Sequence, residues 1–294
     1  VADYLDSQNG ELINRCLSPY NLGSIFKIIV AAADLENGGQ MINQTTFCDG
    51  HIVLEGRSFA CHKKSGHGEV DFVGGFKNSC NPFFIQGAYN LGLSPIIDMA
   101  ERFGLNEKKM LTTDIVTGKN TLPKRLNPAP AALVANTAIG QGDILITPLD
   151  VATIINTVAN DGVQMPLSLI KGFLNNSGKY IEMENETEGK RVISEGTAKE
   201  IQKLMIETCQ SGTGTTARPF IGGAGGKTAS AETGWLQDGE SVVHAWFAGF
   251  YPADDPLYSI VVLVENGKSG ATAASPIFRD IANAIADIKF VDNG

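Results

Sequence analysis

The run Ser24-Ile25-Phe26-Lys27 places a hydroxyl and an amine three residues apart. On a helix, positions i and i+3 face the same way, so the two groups sit side by side. A serine at its ordinary pKa is a poor nucleophile and needs a base within hydrogen-bond reach. Lys27 can be that base if partial burial and the positive N-terminus of a helix lower its pKa. From Ile25 to Leu35 only Lys27 and Asp34 are polar. A helix apolar nearly all round is a buried one, so a lysine in its first turn must reach a cleft or a buried partner.

Two shorter runs offer compatible groups. Ser79-Cys80-Asn81 stands in a turn ahead of Pro82-Phe83-Phe84; taken alone, a serine or asparagine there is a helix cap. Lys227-Thr228-Ala229-Ser230 follows Gly225-Gly226 and opens a strand; taken alone, Lys227 is a solvated edge lysine. Separately, Cys48, Cys61, His67 and Cys80 are spaced by 13, 6 and 13 residues. Three thiolates and an imidazole make a tetrahedral zinc set, although the spacing is not that of a zinc finger. A Cys48–Cys61 disulfide is the rival outside the cytoplasm, with His51 and His62 as alternative ligands. Cys16 and Cys209 read as buried small apolar residues.

These groups need elements to hold them. Val1 to Cys16 reads as two short strands around Asn9-Gly10. A helix follows from Ser24 to Leu35, closed by Asn37-Gly38-Gly39. The Gly-, Cys- and His-rich stretch from Phe47 to Gly75 lacks a period and reads as loop with short hairpins. Helices are expected over Asn81–Gly92 and Ser94–Phe103, with irregular chain from Leu111 to Pro130. Another helix runs from Thr147-Pro148 to about Asn160. Glu195–Cys209 is helical, and strands follow over Gly226–Glu232, Ser241–Tyr251 and Tyr258–Glu265. Ser275-Pro276 caps a last helix to about Ile288.

The fold class expected is α/β (α+β): an antiparallel sheet flanked by helices, with an inserted, mostly helical lobe and the active site between the two. The α/β lobe takes residues 1–35 and 195–294, and the helical lobe 36–194. The chain has 294 residues, 43% of them hydrophobic, enough for a large core. Its formal charge of −9 argues against a nucleic-acid partner, which calls for clustered Lys and Arg. No run of about 20 apolar residues spans a membrane and no signal peptide opens the chain. The expectation is an excised domain whose N-terminal membrane anchor and preceding domain are missing.

Order and company give the three runs their meaning. S-x-x-K, then S-x-N some fifty residues later, then Gly-Gly-Lys-Thr near the C-terminus is the serial signature of penicillin-recognising serine enzymes. Over nearly its whole length the chain resembles the class B penicillin-binding proteins. Gly66-His67-Gly68, Ala138-Ile139-Gly140-Gln141-Gly142 with Thr147-Pro148-Leu149, and His244-Ala245-Trp246-Phe247-Ala248-Gly249-Phe250 add to the likeness.

The resemblance implies a peptidoglycan D,D-transpeptidase on the extracytoplasmic face of the bacterial membrane, acylated by β-lactam antibiotics and needing no cofactor for catalysis. By similarity Ser24 attacks the carbonyl between the terminal D-alanines and Lys27 takes its proton. Ser79 relays a proton to the leaving amine, Asn81 holds the substrate backbone, and Lys227 and Thr228 bind its carboxylate. The N–H groups of Ser24 and Ser230 form the oxyanion hole. Partners implied are peptidoglycan stem peptides and cell-wall machinery such as a glycosyltransferase. Similarity to elongation-type members that carry zinc at like positions, with acids for the first two cysteines, implies a structural Zn2+ at Cys48, Cys61, His67 and Cys80. Rival functions sharing the motifs are a D,D-carboxypeptidase and a non-enzymatic β-lactam sensor or scaffold; a serine β-lactamase would need a deacylating Glu or Tyr, for which this sequence offers no candidate in a family context. The family's glycine after Lys-Thr is here Ala229, whose methyl need not abolish catalysis but could narrow the groove or weaken β-lactam acylation.

Overall fold

The computed structural model describes residues 10–183 and 187–292. Its centre is helix α1, Lys27–Glu36, entered through a 3₁₀ turn over Gly23–Phe26. Every residue from Lys27 to Asp34 in α1 is buried, as its composition demands. The helix ends where Gly39, at φ +61°, donates its N–H to the Asp34 carbonyl at 2.8 Å. Asp34 in turn accepts from the Met41 N–H at 3.0 Å through its carboxylate, so its buried charge is partnered.

Around α1 pack α2 (Phe72–Lys77), α3 (Asn81–Leu91), α4 (Leu93–Arg102), α5 (Ala131–Ala138), α6 (Pro148–Ala159) and α7 (Glu195–Ser211). The caps are local. Thr147 Oγ1 accepts from Asp150 N at 3.1 Å with Pro148 in the first turn, and Ser194 Oγ accepts from Thr197 N at 3.2 Å. The final helix α8, Ser275–Asp292, follows a π turn over Gly270–Ala274. Ser275 therefore lies inside continuous helix, and its hydroxyl donates to the Gly270 carbonyl at 2.9 Å instead of capping.

The main sheet has three antiparallel strands: edge strand Gly225–Gln237, central strand Glu240–Tyr251 and third strand Tyr258–Val264. One face of the sheet, carrying Ala229, Ala231, Trp246 and Ala248, joins the core shared with α1 and its surrounding helices. The other face, with Ala245 and Phe247, packs on α8, where the Phe247 and Phe278 rings sit 4.6 Å apart. The Phe47–Gly75 stretch forms two small ladders, Thr46–Cys48 with Gly68–Val70 and His51–Leu54 with Arg57–Ala60.

Some expectations change. Of the two strands expected in Val1–Cys16, residues 1–9 lie outside the described residues. Residues 11–13 turn and Arg15–Leu17 forms a 3₁₀ turn capped by the Asn14 side chain. Cys16 is exposed, not buried, because that turn sits on the surface; Cys209 is buried as expected. Helices α2 and α5 carry too little periodicity to be legible, having only 6 and 8 residues. Ser24 lies in the 3₁₀ turn ahead of α1 instead of within it, and in such a turn residues i and i+3 still align.

Candidate active site

The turn that carries Ser24 is fixed from both sides. Gly23, at φ +61°, is closely packed: a Cβ there would stand a tight 3.2 Å from Ala231 Cβ on the edge strand. Its N–H donates to the Gly140 carbonyl at 2.9 Å, and a Cβ on Gly140 would fall 2.0 Å from Gly23 O. Just upstream, Tyr20–Asn21 pairs with Leu145–Ile146. Backbone therefore presses on backbone at Gly140, and both glycines hold a positive φ (+61° and +70°) that glycine adopts freely.

Lys27, at the start of α1, is fully buried, and its Nζ donates three hydrogen bonds. They run to Ser79 O at 2.8 Å, Ser79 Oγ at 3.1 Å and Asn81 Oδ1 at 2.8 Å. Burial lowers its pKa to about 7, against a smaller opposing electrostatic pull from Cys80 and Cys61. The amine also lies 5.3 Å from the Phe84 ring centroid. Ser79 holds φ +54°, a conformation that serine rarely adopts, at a turn closed by these bonds. Asn81 Nδ2 donates to the Ala60 carbonyl at 3.0 Å, tying the motif to the small hairpin above it.

The opposite wall is the edge strand. Lys227 is fully buried, with its Nζ 5.7 Å from the Phe76 ring centroid and 3.3 Å from the Thr228 carbonyl. Burial first, and the charge of Lys27 second, hold it well below the ordinary lysine range. Thr228 Oγ1 lies 2.6 Å from Thr213 Oγ1, and Thr213 N donates to Lys77 O at 3.0 Å. Ser24, Ser79, Asn81, Thr228 and Ser230 all line one cleft of about 730 Å³, with the two lysines buried close to them. Such a cleft can present a hydroxyl, a neutral amine and a row of fixed donors to a bound carbonyl.

Ala229 is among the residues that line this cleft, but its methyl is turned away from the opening. Ala229 is 3% exposed in the main core, and its Cβ lies 3.4 Å from where a Gly23 Cβ would stand, so it faces the nucleophile's turn.

Behind the Ser79–Asn81 motif, Cys48, Cys61, His67 and Cys80 converge: one ligand atom from each lies within 4.8 Å of the others. His67 Nδ1 is 3.6 Å from both Cys48 Sγ and Cys61 Sγ. All three cysteines are buried free thiols, so no Cys48–Cys61 bridge is present. The Cys80 hydrogen bond draws Cys61 far below the usual thiol range and leaves Cys80 above it. Four donors around Zn–S bonds of about 2.3 Å need ligand separations of roughly 3.8 Å, a modest contraction of this cage. The donor set fits zinc. His62 stays outside the cage, its ring tilted against that of His67 with the centroids 5.2 Å apart.

Thr213 and Lys268 line the cleft and escaped the sequence reading, while His62 and Glu232 line it too but were read only as an alternative metal ligand and as a strand end. Each stands in a turn-rich or strand-end stretch that carries no motif, so only the fold could gather them.

The chain matches the model of the penicillin-binding protein transpeptidase domain over residues 3–283. It is 32% identical to stage V sporulation protein D of Bacillus subtilis, across 95% of this chain and 44% of that protein. It is 30% identical to the peptidoglycan D,D-transpeptidase PbpA of Mycolicibacterium smegmatis, across 93% of this chain and 57% of that one. The chain thus spans about half the length of these curated relatives. Among solved structures, the penicillin G acyl-enzyme complex of penicillin-binding protein A from Mycobacterium tuberculosis superposes with a TM-score of 0.83. That pair is 28% identical over 97% of this chain and 65% of that one. With its antiparallel sheet, its flanking helices and this family match, the chain belongs to the penicillin-binding protein transpeptidase domain family.

Proposed function

We propose that this chain is the catalytic domain of a peptidoglycan D,D-transpeptidase that β-lactams acylate at Ser24. The observation that carries the reading is the buried Lys27 amine, poised near neutrality and bonded to Ser79 and Asn81 in the cleft that holds Ser24. Neutral Lys27 accepts the Ser24 hydroxyl proton as Oγ bonds to the carbonyl carbon between the two terminal D-alanines. The N–H groups of Ser24 and Ser230 hold the oxyanion. The C–N bond then breaks, and the departing D-Ala amine takes a proton relayed through Ser79. Asn81 orients the substrate amide, while Lys227 and Thr228 receive the terminal carboxylate, whose charge restores the ammonium form that burial disfavours in Lys227. An amine of a second stem peptide attacks the ester, forming the cross-link and returning the proton to Ser24.

The site lies between an α/β lobe of residues 1–35 and 195–294 and a mostly helical lobe of residues 36–194. A zinc ion held by Cys48, Cys61, His67 and Cys80 would be structural, supplying folding energy to the hairpins and to the wall bearing Ser79 and Asn81. The domain works outside the cytoplasmic membrane, tethered through an N-terminal anchor beyond this chain, beside a glycosyltransferase. Among the described residues no helix is long and apolar enough to cross a membrane.

Fluorescent penicillin followed by peptide mapping tests the nucleophile: label on Ser24, absent from Ser24→Ala, is expected. Turnover of a D-Ala-D-Ala donor with an amine acceptor tests the reaction. Release of D-Ala by water alone would make the domain a carboxypeptidase, and acylation without turnover would make it a sensor. Elemental analysis of protein purified without added metal is expected to give one zinc per chain; less than about a tenth of an equivalent removes the metal site.

A further inference from the structure

Alternate residues of a strand share a face, so Thr228, Ser230 and Glu232 form a row on the edge strand, and all three line the cleft. The first two are engaged: Thr228 with Thr213 at 2.6 Å, and Ser230 Oγ accepting from Gly270 N at 3.3 Å. Glu232 is different. It is exposed, and among the described residues its carboxylate makes no ion pair or side-chain hydrogen bond. Directly opposite it in the ladder stands Val243, whose carbonyl accepts from Lys268 N at 3.2 Å. That bond brings Lys268 to the same end of the cleft. Among the described residues the Lys268 ammonium meets only Glu240, at 3.5 Å, with the two side chains 79% and 78% exposed, a contact easily exchanged for another anion. Beyond Glu232 the pairing register slips, and the cleft wall ends.

The inference rests on the proposed function, which puts the donor's terminal carboxylate at Thr228 and its scissile carbonyl at the Ser230 N–H. An extended donor advances about 3.3 Å per residue. Glu232, two residues past Ser230 and so roughly 7 Å along, then stands beside the residue that precedes D-Ala-D-Ala. We propose that Glu232 and Lys268 form a subsite for the side-chain end of that residue, Glu232 taking an ammonium and Lys268 a carboxylate. The substrate class it selects is a stem peptide whose third residue is a diamino dicarboxylic acid of the diaminopimelate type, with both charges on one terminal carbon. Lysine at that place satisfies only Glu232, and a neutral side chain satisfies neither.

Donors of the form X-D-Ala-D-Ala, with X as diaminopimelate, lysine or norleucine, read the subsite directly. For the parent, kcat/KM should fall in that order, by about fivefold at each step, as suits pairs at a solvent-exposed rim. Glu232→Gln should erase the step between lysine and norleucine, and Lys268→Met the step between diaminopimelate and lysine. Acylation by fluorescent penicillin reports that each variant is folded. A parent indifferent to X, or variants that keep the parent's order, would overturn the subsite. If the parent turns over no donor, the transpeptidase reading falls. The same peptides, used as competitors of penicillin acylation, still rank X and decide the subsite separately.

Discussion

Lys27 owes its chemistry to a place, not to its residue type. An amine on a surface helix stays charged at neutral pH, whereas burial under Phe84 brings this one to about 7. An amine is protonated below its pKa and free above it, so the base is disabled on the acid side. The second-order rate of penicillin acylation should therefore rise with pH and reach half its plateau near pH 7. A profile flat through neutrality would remove Lys27 as the base. Ala229 shows the reverse lesson, a residue whose identity suggested a role that its orientation denies. Its methyl packs toward Gly23, so Ala229→Gly should leave the acylation rate unchanged. It should lower stability by about 0.5–1 kcal/mol, through backbone entropy in a strand and lost packing. A faster-acylating Ala229→Gly protein would put the methyl back in the groove.

Elements show how far local signals reach. Helix α6 was readable from Thr147-Pro148, because a cap and a first-turn proline act within one turn. What α6 anchors was not. Asp150 is fully buried and forms an ion pair with Lys109. It also accepts from Asn120 Nδ2 at 2.8 Å and Thr147 Oγ1 at 2.6 Å. Thr147 N donates to Asn120 Oδ1 at 2.9 Å, closing the network. These bonds pin the irregular 111–130 stretch beside the Leu145–Ile146 strand that pairs with Tyr20–Asn21, just ahead of Ser24. Asp150→Ala leaves a sequestered ammonium and an unpartnered amide, and should cost roughly 3–5 kcal/mol in chemical denaturation. A loss below about 1 kcal/mol would show the network to be dispensable. Charged partners some forty residues apart, with an irregular stretch, helix α5 and a short strand between them, carry no periodicity to announce them.

At the scale of the molecule, the two proposed lobes share their interior. The main core runs without a break through α1, α3, α4, α5, α6, α7 and the inner face of the sheet, from Leu22 to Phe250. Neither the 36–194 segment nor the remainder can shed this surface separately without exposing the other. Calorimetry should therefore show one cooperative transition, with the van't Hoff and calorimetric enthalpies in agreement. Two resolved transitions would mean that the lobes fold as independent units.

The residue order alone determined the family's three motifs, the buried character of α1, the three strands of the sheet and the four metal-ligand candidates. Each of those signals is either local periodicity or a short run whose chemistry is set by its own residue types. Tertiary structure alone decided that Lys27 bonds Ser79 and Asn81, that Ala229 faces inward, and that Thr213, Glu232 and Lys268 reach the cleft. It also brought Cys48, Cys61, His67 and Cys80 to one point. The reason is physical. A side chain's partners, its burial and hence its pKa depend on which distant segments the core draws together, and spacing along the chain does not encode that juxtaposition.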